Sequence, residues 1–115
     1  MEIKKLQKII VKFRDARDWK QFHNPKDLAI SLLLEAAELL EHFQWKSPEE
    51  MDKLTKTKEL DDVKEEVADI YYWVLLISHD LNINLEKEFL AKKTKNEKKY
   101  PIRKAKGRHT KYTEL

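Results

Sequence analysis

Residues 28–41 read Leu28-Ala-Ile-Ser-Leu-Leu-Leu-Glu35-Ala-Ala-Glu38-Leu-Leu-Glu41. Wound as an α-helix, this stretch carries apolar residues on nearly every side, which is typical of a helix buried in a core. Glu35 and Glu38 interrupt it, and their spacing of three places both side chains on one face, one turn apart. A carboxylate in apolar surroundings is strongly unfavourable unless it is protonated, paired with a base or bound to a cation.

A second stretch repeats this design. Residues 63–77 read Val63-Lys-Glu-Glu66-Val-Ala-Asp69-Ile-Tyr-Tyr-Trp-Val-Leu-Leu-Ile77, so a second apolar helix carries a carboxylate pair three residues apart. Two such helices predict the two halves of one oxygen-ligand metal site, and Mg²⁺ and Mn²⁺ prefer ligands of this kind. The alternative is that the four acids pair with lysine or arginine across the helices, or face solvent at a helix edge.

Other metal centres fit the sequence less well. A carboxylate-bridged di-iron bundle needs Glu-x-x-His on two helices, and the sequence contains no Glu-x-x-His, because His42 follows Glu38 by four and Glu41 by one. A structural zinc site would need cysteines or a histidine pair, and the sequence has no cysteine. The acidic residues therefore favour a hard cation.

Composition indicates one all-α domain. The chain has 115 residues, of which one is glycine, three are proline and 39% are charged, with many Leu, Glu and Lys. The absence of cysteine rules out disulfides and is consistent with a reducing compartment. The N-terminus has no apolar region of the signal-peptide type, and no apolar run approaches the ~20 residues that span a bilayer, so we expect no membrane partner and a cytoplasmic location.

The apolar periodicity predicts four main helices and one short one, at about residues 2–17, 25–43, 47–56, 60–79 and 85–98. Asn24-Pro25 and Ser47-Pro-Glu-Glu50 are helix-start signals, and Asn84 is a further N-cap candidate. We expect a four-helix bundle built on a buried helical hairpin. Both central helices are more apolar than one chain of this size can cover, so we expect oligomerisation to complete the bundle.

Charge is distributed unevenly. Residues 92–115 contain ten Lys and Arg and two Glu, whereas the preceding residues are net acidic. We divide the chain into a domain of residues 1–100 and a basic tail of residues 101–115 that contributes to or covers the site. Little in the tail predicts independent folding.

The acidic pattern, Glu-x-x-Glu followed at a distance by Glu-x-x-Asp, resembles the signature of the MazG-like all-α nucleoside triphosphate pyrophosphohydrolases. The similarity is greatest to their dCTP pyrophosphatase branch and covers about residues 13–114. The other motifs that carry it are Arg17-Asp-Trp-Lys-Gln-Phe-His-Asn-Pro25, Phe43-Gln-Trp45, Asn96-Glu-Lys-Lys-Tyr-Pro101 and Lys111-Tyr-Thr-Glu114.

This resemblance implies a reaction in which water cleaves a nucleoside triphosphate to the monophosphate and pyrophosphate. Glu35, Glu38, Glu66 and Asp69 would be ligands of Mg²⁺, with Mn²⁺ as an alternative ion, because close carboxylates repel one another and are stabilised by a cation. Glu35 or Glu38 would also orient or deprotonate the attacking water.

Lys92, Asn96 and Lys99 recur on about one side of the last long helix and are candidate ligands of the β and γ phosphates. The resemblance favours Lys92 and Asn96 for this role. The other interpretation is an ordinary lysine-rich face in contact with solvent.

A base pocket needs flat apolar walls and a few hydrogen-bonding groups. The resemblance places Trp19 and Trp45 near the base, and His23 is either a base contact or a polar group at the start of a helix. We assign Trp73 to the core or to a subunit interface. Members of the dCTP branch carry a histidine near the position of Ile10, so the resemblance does not transfer their base preference.

Our leading hypothesis is a Mg²⁺-dependent nucleotide pyrophosphohydrolase that removes dCTP or modified nucleotides, as a homodimer or homotetramer without a stable nucleic-acid partner. One alternative is a nucleic-acid-binding module that uses the basic segment Lys92–Lys111, whose phosphate contacts would be salt-dependent and unspecific. Another is a helical oligomerisation module in which the carboxylates are structural.

Overall fold

The computed structural model describes residues 2–115, and this part of the chain contains helices and no β-strand. The elements in chain order are α1 (Ile3–Ala16), a 3₁₀ turn (Lys20–Phe22), α2 (Pro25–Glu41), α3 (Pro48–Leu54), α4 (Glu59–Asp80), α5 (Leu85–Lys99), α6 (Ile102–Ala105) and a second 3₁₀ turn (Tyr112–Glu114). The all-α prediction is confirmed. Within residues 2–115 no helix combines the length and apolar character needed to cross a membrane.

Local capping explains where three of the helices begin. Asn24 accepts a hydrogen bond from the Asp27 amide at 2.9 Å, and Pro25 occupies the first helical position. Ser47 and Glu50 form a complete capping box, and Asn84 caps α5. These side chains satisfy amide groups that have no partner inside a helix, so all three predicted starts are confirmed.

The chain divides into two compact units, the first ending at Asn82 and the second being Ile83–Leu115. In the first unit α4 is the central element, since both α1 and α2 pack against it. In the second unit the segment after α5 is more structured than the sequence predicted. It forms α6 and a 3₁₀ turn, and the ring of Tyr112 lies 5.9 Å from that of Tyr100, centroid to centroid.

The first unit has a small core in which Leu28, Leu54, Leu75 and Leu76 are buried. The prediction that α2 is buried is wrong for a single chain, because Leu33 is 68% exposed and Leu40 is 64% exposed. A unit of this size has too few elements to cover both sides of a helix, so α2 buries only the side that faces α4.

Polar contacts join α1 to α4. Arg14, which is 2% exposed, forms a two-pronged ion pair with Asp80 at 2.8 and 2.9 Å. Gln7 donates to the Leu75 carbonyl at 3.2 Å and to the Ser78 hydroxyl at 2.9 Å. Sequence analysis did not identify these contacts, whose partners lie more than sixty residues apart.

We predict that Asp80→Asn lowers the free energy of unfolding by about 3 kcal/mol, because it leaves the Arg14 charge buried without a counter-ion.

Burial acts to raise the pKa of Asp80, but the hydrogen bonds from Arg14 and His79 outweigh it and lower the pKa from 3.8 to about 2. The stability that Asp80 contributes is therefore present above pH 3.8 and is lost as the pH falls towards 2. Urea denaturation of the unmodified protein and of Asp80→Asn at neutral pH measures the difference in their free energies of unfolding.

The matched control is Asp52→Asn, which removes a carboxylate from an ion pair with Lys56 whose side chains are 70% and 72% exposed. Exposed pairs contribute little, so we expect a loss below about 0.5 kcal/mol. Equal losses in the two variants would contradict a stabilising role for the Arg14–Asp80 pair.

Candidate metal centre

Three glutamates from two helices meet in the first unit. Glu35, Glu38 and Glu66 each offer a carboxylate oxygen, and these oxygens lie within 4.8 Å of one another. The geometry follows from the sequence, since Glu35 and Glu38 share one face of α2 and α2 packs against α4, which carries Glu66. The structure therefore brings together three of the four predicted metal ligands.

The cluster contains polar atoms that lack partners. Oε2 of Glu35 and Oε2 of Glu66 are both buried, and neither has a hydrogen-bond partner among residues 2–115. Buried acceptors without partners are rare in folded proteins because each loses its hydration without replacement. A bound cation would supply the missing partner of both oxygens, which belong to carboxylates on two different helices.

The electrostatics of the cluster favour protonation when no cation is bound. Loss of water around Glu35 raises its pKa to about 7, with further contributions from the neighbouring Glu38 carboxyl and the charge of Asp69. Loss of water and the Glu38 carboxyl also raise the pKa of Glu66. A divalent cation removes both causes, because it replaces the lost water and screens the carboxylates from one another.

Asp69, the fourth predicted ligand, lies outside the group of three. It is exposed and sits on α4 one turn after Glu66. Its charge nevertheless raises the pKa of both Glu35 and Glu66, so it belongs to the same electrostatic environment.

His42 is a neighbour that sequence analysis did not assign to the site. Its Nε2 lies 4.0 Å from Oε1 of Glu66, and its Nδ1 lies 3.9 Å from Oε1 of Glu59, which also pairs with Lys46 at 2.9 Å. His42 follows Glu38 by four residues, and this spacing was the available signal. The imidazole therefore lies at the edge of the carboxylate group.

Oxygen donors dominate the group and the chain contains no cysteine. Such a donor set fits Mg²⁺ or Mn²⁺ better than a thiophilic metal. The two unsatisfied oxygens show that the residues present fit a divalent cation.

A cluster of rings, consisting of Phe13, Trp19, His23, Tyr72 and Trp73, lies further along α4. Trp19 packs on Phe13 with ring centroids 5.7 Å apart, and Phe13 lies 6.4 Å from Tyr72. His23 lies edge-on to Trp73 at 5.5 Å, and Trp73 is 4.9 Å from Tyr72. We call this set the aromatic cluster.

The aromatic cluster and the carboxylates share one helix. Trp73 follows Glu66 by seven residues and Asp69 by four, so it lies on about the same face of α4, about 10 Å from Glu66 along the axis. The chain reaches this position through a sharp turn at Asp18, whose φ of 53° is in the left-handed region. After this turn, Trp19 lies beside Phe13 of α1, and His23 lies beside Trp73 of α4.

The third predicted base contact, Trp45, follows α2. Its side chain is 92% exposed, and its φ is 69°, a left-handed conformation that is unfavourable for a bulky residue. Strained backbone persists where function or the surrounding structure requires it. Trp45 is thus an exposed aromatic side chain held in an unusual conformation.

The predicted phosphate ligands lie on α5, in the second unit. Lys92 and Asn96 are exposed. The ammonium group of Lys99 lies 4.7 Å from the centre of the Tyr112 ring, so this lysine already has a partner within its own unit.

Comparison with known proteins places the chain in a family. Residues 30–115 match the MazG-like family. Rat and human dCTP pyrophosphatase 1 are each 32% identical to the chain over 111 residues, which are 96% of this chain and 65% of theirs, so the chain spans less than two-thirds of their length. The solved structure of a pyrophosphatase from Archaeoglobus fulgidus is 39% identical, with a TM-score of 0.80 over 85% of this chain and 91% of that one. Because the family match covers most of the sequence, the chain belongs to the MazG-like family.

Proposed function

We propose that this protein is a Mg²⁺-dependent nucleotide pyrophosphohydrolase that converts a (d)NTP and water to the (d)NMP and pyrophosphate. The observation that carries the proposal is the pair of buried, unsatisfied oxygens on Glu35 and Glu66 within a three-carboxylate cluster. The relatives support it, since two are dCTP pyrophosphatases and one solved structure is a pyrophosphatase. The proposed physiological role is removal of dCTP or of modified nucleotides.

The carboxylates would hold the cation. We assign Glu35, Glu38 and Glu66 to this role from the geometry, and Asp69 from its charge beside them. The cation, Mg²⁺ or Mn²⁺, would neutralise charge that develops on the leaving pyrophosphate.

The same glutamates would orient and deprotonate the attacking water. Glu35 or Glu38 would accept a hydrogen bond from the attacking water and take its proton as the oxygen bonds to the α-phosphorus. The bond from that phosphorus to the bridging oxygen then breaks, and the electron pair leaves with pyrophosphate.

Nucleotide binding uses the remaining predicted residues. We propose that Trp19 and His23, which lie in the aromatic cluster, contact the base, and that Trp45 supplies an exposed ring for the same purpose. Lys92, Asn96 and Lys99 remain our candidates for the phosphates. A cytoplasmic location and the absence of a stable nucleic-acid partner stay predictions.

We further propose a homodimer or homotetramer. The exposed side of α2 carries large apolar side chains, and a contiguous apolar face of this kind usually marks an interface. A second copy of the chain is the occupant we expect, because in a symmetric pair the apolar side chains of the two copies would cover one another. Its residues are Ile30, Leu33, Leu34 and Leu40, which are 46%, 68%, 58% and 64% exposed.

The reaction is tested by product analysis across canonical and modified (d)NTPs with Mg²⁺. We expect monophosphate and pyrophosphate, with dCTP or a modified dCTP turned over fastest. Glu38→Gln and Asp69→Asn should each lower turnover at least about 100-fold while the helical circular dichroism spectrum is unchanged, since each removes charge but little volume.

Glu41→Gln is the matched control, because Glu41 is an exposed acid on α2 outside the carboxylate group. It should retain activity close to that of the unmodified protein. Diphosphate and orthophosphate as products would reject the proposed reaction. Near-normal turnover by Glu38→Gln or Asp69→Asn would reject the corresponding ligand assignment.

We also predict that the stability of the metal-free protein falls as the pH rises from about 4.5 to about 7. Glu35 has a higher pKa in the folded chain than its ordinary value of 4.5, so the folded state binds more protons in this window and loses stability as they leave. Thermal melts in a chelator measure this fall, and added Mg²⁺ should reverse it at pH 7.

Glu35→Gln isolates the effect, since it keeps the shape of the side chain and has no proton to lose. Its metal-free melting temperature should fall less between pH 4.5 and 7 than that of the unmodified protein. Identical pH profiles for the two proteins would show that Glu35 is not the group responsible.

The assembly is tested by light scattering of Leu33→Glu. A charge in the middle of the apolar face should convert the oligomer to a smaller species, because a buried unpaired carboxylate opposes association. Ile102→Glu, at a residue that is 80% exposed outside α2, should leave the mass unchanged. A monomeric unmodified protein would contradict the proposal.

A further inference from the structure

Arg14 occupies an unusual position for an arginine. It is 2% exposed, it is held at two nitrogens by Asp80, and its Nε is buried with no partner among residues 2–115. The Asp80 side chain is also nearly buried, at 8% exposure. The ion pair therefore fixes both the charge and the orientation of the guanidinium group.

This fixed group faces His23. Nη1 of Arg14 lies 3.4 Å from Nδ1 of His23. A guanidinium nitrogen donates hydrogen bonds and cannot accept them, so Nδ1 has to be the acceptor. His23 then carries its single proton on Nε2.

The surrounding charges keep His23 neutral. Burial lowers the pKa of His23, as do Arg14 and, to a smaller extent, Lys20, and the opposing effect of Asp80 does not compensate. A protonated ring would place two donors and two positive charges against each other at this contact. The neutral ring avoids both.

The remaining nitrogen of the ring is available. Within residues 2–115, Nε2 of His23 makes no hydrogen bond, because the one side-chain hydrogen bond of this histidine is that of Nδ1 with Arg14. The ring lies edge-on to Trp73, on the side of α4 that also carries the carboxylates. A donor thus lies next to a flat aromatic wall, the combination that a nucleobase requires.

We propose that Arg14 and Asp80 are positioning residues that hold His23 as its neutral Nε2–H tautomer, so that His23 donates to an acceptor on the nucleobase. The inference rests on the proposed function, and it adds a specificity rule. A base that presents a carbonyl oxygen or an unprotonated ring nitrogen to His23, as the O2 and N3 edge of cytosine does, pairs with the donor. A base that presents an N–H there leaves two donors opposed and binds more weakly.

The tautomer is read directly by ¹⁵N NMR of the imidazole, without nucleotide. The signal of His23 is assigned from its loss in His23→Asn. We expect Nδ1 to show the shift of an unprotonated nitrogen and Nε2 that of a protonated one at neutral pH. Arg14→Lys, which keeps the charge but loses the planar fork, should move the His23 nitrogens towards a mixture of tautomers.

Lys12→Gln is the matched control for this measurement, because Lys12 is an exposed cation on the same helix two residues before Arg14. It should leave the His23 nitrogen shifts and the kinetics unchanged. Finding the His23 proton on Nδ1 in the unmodified protein would overturn the inference, and this measurement does not depend on whether Arg14→Lys folds.

Kinetics with two variants of His23 test its donor role. The amide of Gln reaches about as far as Nε2 and keeps a donor there, whereas the amide of Asn reaches only as far as Nδ1. We therefore expect His23→Asn to raise KM for dCTP about tenfold, with a smaller change in kcat, and His23→Gln to recover part of the loss.

Arg14→Lys should raise KM in the same direction as His23→Asn. The outcomes separate the two proposals. If the unmodified protein hydrolyses (d)NTPs but neither the tautomer nor KM responds to these variants, the inference is wrong and the proposed function stands. If no (d)NTP is hydrolysed, the proposed function fails and the specificity rule fails with it.

Discussion

Two carboxylate oxygens that lie inside the protein without partners are the constraint on which the site depends. Glu35 and Glu66 come from different helices, yet the packing of α2 on α4 buries one oxygen of each. The fold therefore places like charges close together where little water reaches them. Binding either protons or a cation would reduce the repulsion between these charges. Elevated proton affinity in the metal-free protein and the proposed cation binding have the same geometric origin.

The helix α4 connects the carboxylate group with the aromatic cluster. It carries Glu66 and Asp69, and Trp73 lies on about the same face two turns beyond Glu66. The end of the helix carries Asp80, which fixes Arg14 and so the contact with His23. A rigid helix holds the side chains that it carries at a set separation more accurately than a loop can. The position of α4 thus relates the carboxylate group to the aromatic cluster.

Local patterns in the sequence predicted the local structure well. Asn24, Ser47 and Asn84 marked helix starts because capping depends on residues within one turn. The carboxylates were found for the same reason, since a spacing of three fixes a shared helix face. The Arg14–Asp80 pair could not be found this way, because nothing in the residues around Arg14 indicates a partner 66 positions away.

The exposure of α2 shows a different limit of prediction from the sequence. Its sequence is apolar on nearly every side, and from that alone a helix buried within one chain and a helix shared between two chains are indistinguishable. Leu28 is buried in the single chain, whereas Leu33 is mostly exposed, so the helix has one side turned to α4 and one side free. Glu35 and Glu38 lie on the same helix as this free side. A partner chain that covered the free side would leave the carboxylates on the side that packs against α4, so the apolar face and the carboxylate group occupy different sides of one helix.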